Sequence, residues 1–295
     1  MKNLSGLGVA LVTPFNEDLS IDFDALTKLI EYNITNGTDF FVVLGTTAET
    51  ATLSKEEKEA AIQHIVKINN KRLPLVLGIG GNNTLAVKKE IEQTNLDDFE
   101  AILSVSPYYN KPNQEGLYQH YKALAETGKN IIIYNVPGRT GQNIEAETTL
   151  RLAKEFPNLF MIKEAAPNLT QYFDILRKKT ANFSLMSGDD EYTLPVTLAG
   201  GDGVISVIGQ AYPKEFSEMI KLAKDEKVKE AYAIHNQLVE ITRLIFAEGN
   251  PVGIKAVLAH KGIIKNHLRL PLVKASESLQ QKINSEVDRL NSVFK

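Results

Sequence analysis

Lys163 sits in the run Phe160-Met161-Ile162-Lys163-Glu164-Ala165, a single ammonium on a short apolar segment with strand character. A lysine amine held away from water loses proton affinity, which makes the neutral nucleophile available near neutral pH, and a neutral amine can attack a ketone to give an imine. Other residues suited to such chemistry fall in short runs that follow apolar segments. These are Gly45-Thr46-Thr47-Ala48-Glu49, Gly78-Ile79-Gly80-Gly81-Asn82-Asn83, Pro107-Tyr108-Tyr109-Asn110, Tyr134-Asn135-Val136-Pro137-Gly138-Arg139-Thr140-Gly141, Ser187-Gly188-Asp189-Asp190 and Ile205-Ser206-Val207-Ile208-Gly209. Backbone amides and hydroxyls at Thr46 and Thr47 suit a carboxylate beside the carbonyl that the lysine attacks, so an α-keto acid fits the layout. Imine and enamine steps also move protons. A phenol, with an ordinary pKa near ~10, does this well when linked to other hydroxyls, and Tyr134, Thr46 and Tyr109 can form such a relay. The planar fork of Arg139 suits a second carboxylate, on a second substrate.

Each of these residues also has a structural explanation. A lone strand lysine can sit at an edge or snorkel to water. Gly45-Thr46-Thr47 can be a tight turn with a helix cap, and Tyr108, Tyr109 and Tyr134 can be core or rim aromatics. Arg139 can be a surface side chain. Ser187-Gly188-Asp189-Asp190 has the look of a metal-binding run, but capping by Asp189 or Asp190 explains it better. Gly80-Gly81-Asn82 lacks the spacing of a phosphate-binding loop.

The elements that must position these residues repeat. Apolar, β-branched runs at Gly8–Val12, Phe40–Leu44, Leu75–Gly78, Ala101–Val105, Ile131–Asn135, Phe160–Glu164, Ser184–Ser187 and Gly203–Val207 read as strands. Amphipathic segments lie between them. In Asp22–Asn36 the residues Phe23, Leu26, Leu29, Ile30 and Ile34 trace one stripe, and Ser54–Ile68 opens with a Ser54/Glu57 capping box. Strand then helix, repeated without long interruption, predicts an α/β fold, a (β/α)8 TIM barrel over residues 1–212, since such barrels run to roughly 250 residues and carry their active sites at the C-terminal ends of the strands. From Pro213 the strand signal stops. Lys214–Asp225, Val228–Phe246, Val252–Lys261 and Ala275–Phe294 read as helices, so residues 213–295 are expected to be a C-terminal helical extension packed on the barrel.

Composition narrows the chemistry. The 295 residues carry 33 basic and 36 acidic side chains for a net charge of -3, which gives no electrostatic footprint for nucleic acid or an anionic membrane. The absence of cysteine excludes disulfides and thiolate chemistry, and the dispersed histidines His64, His120, His235, His260 and His267 exclude a histidine-pair zinc site, so no metal is expected. Without a secretory signal pattern or a membrane-length apolar run, the expectation is a soluble, cytoplasmic protein acting on small molecules.

Together the motifs resemble the dihydrodipicolinate synthase family, within the class I aldolase superfamily that includes N-acetylneuraminate lyase. The resemblance runs from Gly8-Val9-Ala10-Leu11-Val12-Thr13-Pro14-Phe15 through Tyr134–Gly141 and Ile162-Lys163-Glu164-Ala165 to Asn250-Pro251 and Leu268-Arg269-Leu270-Pro271. It implies condensation of pyruvate with aspartate 4-semialdehyde on the route to diaminopimelate and lysine. The only covalent carrier it implies is the pyruvate imine on the lysine, with no cofactor. By resemblance Lys163 forms the imine, Tyr134 moves protons beside it, and Thr46 and Tyr109 complete the relay, with Tyr109 offered by a neighbouring subunit of a homotetramer built as two tight dimers. Thr47, Gly188 and the backbone of Ile205 match substrate contacts, and Arg139 matches the residue that guides the semialdehyde carboxylate. The sialic-acid branch of the superfamily shares the lysine and the pyruvate pocket but lacks that arginine. A catalytically silent relative would be expected to have lost some of Lys163, Tyr134, Thr46 and Arg139.

Two departures from the family pattern stand out. Ala48 replaces a usual glycine, which would cost about 1 kcal/mol if the backbone there needed a positive φ; tolerance of alanine is expected. In the pocket where sensitive members bind lysine as a feedback inhibitor, the equivalents are Thr50, Ala51, Lys55, Lys58, Asn82, Ala86 and Tyr108. Lysines thus replace two frequent histidines, and Ala86 replaces a frequent glutamate. Weak or absent lysine inhibition is expected.

Overall fold

The computed structural model describes residues 4–294. Among these, eight parallel strands close into a barrel in chain order: β1 (Gly6–Ala10), β2 (Phe40–Val43), β3 (Leu75–Gly78), β4 (Ala101–Val105), β5 (Ile131–Asn135), β6 (Leu159–Glu164), β7 (Ser184–Ser187) and β8 (Gly203–Ser206). Closure is at β1, where Gly8 faces Phe40 of β2 on one side and Ile205 of β8 on the other.

Strands covered on both faces need apolar residues at odd and even positions alike, which explains why they read as continuous hydrophobic runs. Ala10, Phe40, Val42, Val76, Leu103, Ile132, Met186 and Ile205 fill the barrel interior, while Leu7, Val9, Phe41, Val43, Ile102, Ile133 and Ile162 join the core between strands and helices. At the start of β6 the register shifts: Leu159 faces Ile131 and Met161 faces Ile132. Phe160 is the extra residue, and it joins Met161 in the interior cluster.

The fold matches the expected (β/α)8 barrel, with small shifts at strand ends. β1 begins two residues earlier than its apolar run because β8 offers Gly203–Ser206 as partners for Gly6–Val9. Beyond β1, the Val12 amide donates to Gln210 Oε1 at 3.0 Å, and Gln210 Nε2 donates back to the Ala10 carbonyl at 3.1 Å. The helix Phe23–Thr35 buries Leu26, Leu29 and Ile30 of the expected stripe and is capped by Asp22, whose Oδ1 accepts from the Ala25 amide. Ser54 and Glu57 make the expected capping box at the head of Lys55–Asn69.

After β8 the chain forms Pro213–Lys224, Val228–Phe246, Val252–His260 and Glu277–Val293. Pro213–Lys224 packs on β1 and on the helix Thr193–Leu198, completing the outer ring; Val228–Phe246 packs on it and on the two helices that follow. Gly253 permits a close approach of Val252–His260 to Val228–Phe246, since a Cβ there would stand 2.4 Å from Cα and the carbonyl oxygen of Ile245. Among the described residues no helix is long and apolar enough to cross a membrane.

Candidate active site

Register places the chemistry. Tyr134 of β5 faces Lys163 of β6, which faces Met186 of β7; one step along, Asn135 faces Glu164, which faces Ser187. Because side chains alternate across a strand, the first set points into the barrel and the second into the shell behind it. Lys163 is only 5% exposed, and its Nζ stands 4.4 Å from the centroid of the Tyr134 ring. Gly188 closes on the lysine from β7: a Cβ at that position would lie 3.0 Å from Lys163 Cε and 2.7 Å from Ala165 Cβ, so the lysine stem runs where any larger residue would place its side chain. Ile205, fully buried, completes the interior wall from β8.

The turn after β2 supplies the hydroxyls. Thr46–Ala48 is a short 3-10 helix whose first bonds run from the Ala48 amide to the Gly45 carbonyl and from the Glu49 amide to the Thr46 carbonyl. The amides of Thr46 and Thr47 stand ahead of those bonds, a donor pair at a helical N-terminus that suits a carboxylate. Thr46 is exposed to the cleft and Thr47 is buried, its Oγ1 accepting from Asn250 Nδ2 at 2.9 Å. The Asn250 carbonyl in turn accepts from Arg139 Nη2 at 3.0 Å, which ties the threonine turn to the short helix Pro137–Thr140 after β5. Ala48 is tolerated for a simple reason: the positive φ of this loop falls on Leu44 and Glu49, not on Ala48.

Thr46, Tyr134, Arg139 and Asn250 line a cleft of about 1110 Å³ that extends outward past Thr50, Ala51, Lys55, Lys58, Ala86 and Tyr108. The regulatory-pocket equivalents are therefore continuous with the mouth of the site, apart from Asn82, whose carbonyl accepts from Asn110 Nδ2 at its edge. Lys55 pairs with Glu59 at 3.8 Å along its own helix. Tyr109 does not reach the cleft within the chain. It is 89% exposed, on backbone with φ of 72°, while Tyr134 and Thr46 face inward without it.

Several residues given no role from the sequence shape the site. Glu164 lies buried behind Lys163 and accepts hydrogen bonds from Asn135 Nδ2, Gln171 Nε2 and the Ala166 amide, each at 2.8 Å. Burial raises its carboxyl to about 7, against the pull of those bonds. Asp189 does turn the chain into the next segment, accepting from the amides of Glu191 and Tyr192. Asp190 departs from the capping expectation: it reaches across to the β8 loop, where Oδ2 accepts from the amides of Val207 and Ile208 at 3.0 and 3.1 Å. It thereby ties the segment after β7 to the segment after β8, and the helix Thr193–Leu198 has no side-chain cap from either aspartate. The one sequence signal for Asn250 was its place in the Asn250-Pro251 motif; for Glu164 it was adjacency to the lysine.

This geometry sets a buried amine beside a phenol, and it lines one cleft with that phenol, the threonine turn and the Arg139 guanidinium. The dihydrodipicolinate synthetase family model matches residues 3–290. The chain is 53% identical to a 4-hydroxy-tetrahydrodipicolinate synthase from Flavobacterium psychrophilum over 96% of this chain and 97% of that one, and 51% identical to one from Parabacteroides distasonis over 98% of each. A dihydrodipicolinate synthase from Acinetobacter baumannii, solved as its chloride-inhibited form complexed with pyruvate, superposes with a TM-score of 0.94 at 37% identity, covering 98% of this chain and 99% of that one. By its motifs, its barrel and these likenesses, the chain belongs to the dihydrodipicolinate synthetase family of enzymes.

Proposed function

We propose that this protein condenses pyruvate with L-aspartate 4-semialdehyde to 4-hydroxy-tetrahydrodipicolinate, a cytoplasmic step toward diaminopimelate and lysine, through an imine on Lys163. The observation that carries this reading is the buried Lys163 amine, set 4.4 Å from the Tyr134 ring at the interior end of β6. The amine attacks the keto carbon of pyruvate and water leaves, giving the imine. Loss of a methyl proton gives the enamine, whose carbon attacks the semialdehyde carbonyl. The amino group of the second substrate then attacks the imine carbon, which closes the ring and frees Lys163. One water is released overall, and no cofactor enters.

The amides and hydroxyls of Thr46 and Thr47 hold the keto-acid carboxylate, with Gly188 and the Ile205 backbone shaping the wall beside it. Protons move through Tyr134, Thr46 and a Tyr109 from a neighbouring subunit. Tyr109, exposed in the single chain, is free to enter a neighbouring subunit's site, and the assembly we propose is a homotetramer of two tight dimers. Arg139, fixed to the Asn250 carbonyl, draws in the second carboxylate. An Arg139→Ala variant is the test: it should still form the pyruvate imine while losing semialdehyde-dependent turnover, and full turnover would overturn the assignment.

Lysine inhibition is weak or absent in this reading. Ala86 offers no carboxylate to an effector ammonium, a loss of roughly 1.5–3 kcal/mol, and Lys55 and Lys58 on the same cleft wall add like charge. Strong inhibition by sub-millimolar lysine in a steady-state assay would refute it.

A further inference from the structure

The threonine turn is also gripped from behind, by groups outside the chemistry above. Between the 3-10 helices Thr46–Ala48 and Thr50–Thr52 stands Glu49, a non-glycine residue at φ of 55°. Its side chain is buried in the protein. Glu49 Oε1 is 2.5 Å from Nζ of Lys255, and the two side chains are 1% and 0% exposed. Oε2 accepts from the Arg269 amide at 3.1 Å. Lys255 belongs to Val252–His260, and its Nζ also donates to the His267 carbonyl at 2.9 Å and lies 4.2 Å from the Phe15 ring centroid. The Arg269 guanidinium lies 4.5 Å from the centroid of the same ring and forks onto Glu57.

Two ions withdrawn from water in this way are a poor source of stability, because desolvation offsets most of their attraction, and apolar residues of similar volume often serve the fold as well. Burial pulls the Lys255 ammonium down to about 8, with the Glu49 carboxylate opposing, which is the same cost seen from the lysine. What a buried pair does supply is a unique geometry. The turn has two further anchors, Thr13 Oγ1 donating to the Ala48 carbonyl at 2.8 Å and Asn250 Nδ2 donating to Thr47 Oγ1. Glu49 is the anchor immediately past the turn, at the residue whose backbone is least free to find this conformation unaided.

We infer that Glu49 and Lys255 are positioning residues, a buried ion pair that fixes the Thr46–Thr47 turn to the C-terminal helices so that it meets the keto-acid carboxylate in the correct orientation. The inference rests on the imine reading given above. It assigns the Glu49–Lys255 pair a part in pyruvate binding and none in semialdehyde recognition, which the extension serves separately through the Asn250 carbonyl that holds Arg139. Removing both charges should therefore leave the fold and disturb one half-reaction.

The test uses the full-length protein and the double variant Glu49→Gln/Lys255→Met, compared by thermal melting, borohydride trapping with graded pyruvate, and steady-state kinetics. The expected result is a melting temperature near that of the wild type, a pyruvate half-saturation raised about 10- to 100-fold, as for a reacting group misplaced by up to an ångström, and an unchanged semialdehyde KM. A variant that melts and traps pyruvate like the wild type overturns the inference. So does a semialdehyde KM raised as much as the pyruvate value, which marks a general structural role. If the double variant fails to fold, Glu49→Asp, which keeps both charges but withdraws the carboxylate, should raise the pyruvate half-saturation by itself, and a wild-type value overturns the inference. Wild-type protein that traps no pyruvate on Lys163 overturns the imine reading and this inference with it.

Discussion

Gly188→Ala puts a single methyl group between Lys163, the proposed imine-forming residue, and the strand beside it. Gly188 is not in the left-handed region, so alanine meets no backbone strain there; the effect is steric. The new Cβ would lie 2.7 Å from Ala165 Cβ, 3.0 Å from the Glu164 carbonyl oxygen and 3.0 Å from Lys163 Cε. Carbon pairs settle at about 3.5–4.0 Å, so the lysine stem must retreat by about 0.5 Å or more, and β6 must give near Ala165. The Glu164 carbonyl is already held by the Gly188 amide at 2.6 Å and by Tyr172 Oη at 2.5 Å, which leaves it little room to move. Overpacking of this kind costs about 1–3 kcal/mol. In a chain of this size, that lowers the melting temperature by about 2–4 °C per kcal/mol. Displacing the nucleophile by half an ångström should slow imine formation about 10-fold or more. Single-turnover borohydride trapping measures that rate, and thermal melting measures the cost. The pair Gly188→Ala/Ala165→Gly separates the two, because it relieves the 2.7 Å overlap and leaves the contacts with Lys163 Cε and the Glu164 carbonyl oxygen. Its melting temperature should recover in part while trapping stays slow. A Gly188→Ala protein that both melts and traps pyruvate like the wild type would refute the reasoning.

His120 is buried with its Nδ1 2.9 Å from Thr84 Oγ1, and burial pulls its pKa from 6.5 down to about 4. Between those values the unfolded chain binds more protons than the folded one, so stability should fall as the pH drops from about 6.5 to about 4, by about 3 kcal/mol in all. His120→Gln should flatten that limb in urea midpoints, and an unchanged acid limb contradicts the assignment. Tyr109→Phe should lower kcat by about 10²-fold, and wild-type activity per subunit should decline on dilution as sedimentation shows the assembly coming apart. A rate independent of dilution through dissociation argues that the relay is complete within one chain. Because Ala48 does not occupy a left-handed position, Ala48→Gly should give no gain and cost about 0.5–1 kcal/mol by thermal melting, whereas stabilisation would show that the turn wants glycine.

The barrel was legible because each buried strand is a short β-branched run and the helices between them carry their own stripes and caps. Strand ends were less legible, since they depend on a partner. Gly6 and Leu7 enter β1 because Gly203 and Val204 stand opposite, and no local pattern announces that. The placement of the candidate residues was legible where a motif and a strand end coincide: Lys163 lies beside Tyr134, and the threonine turn shares a cleft with Tyr134. It was opaque wherever a side chain bonds across the fold: Asp190 to the β8 loop, Asn250 to Thr47, and Glu49 to Lys255. Lys255 is instructive because Val252-Gly253-Ile254-Lys255-Ala256-Val257-Leu258 is also an apolar run with one ammonium, the same signal that singled out Lys163. Topology separates them. One lysine points into the barrel beside a phenol, and the other lies behind the turn against a carboxylate.

Borohydride reduction in the presence of pyruvate, followed by peptide mass mapping, tests the central claim most directly. The expected product is a single reduced pyruvate adduct on Lys163, absent without pyruvate and absent in Lys163→Ala. Protein recovered unmodified at Lys163, or carrying its adduct on another lysine such as Lys255, would contradict the account.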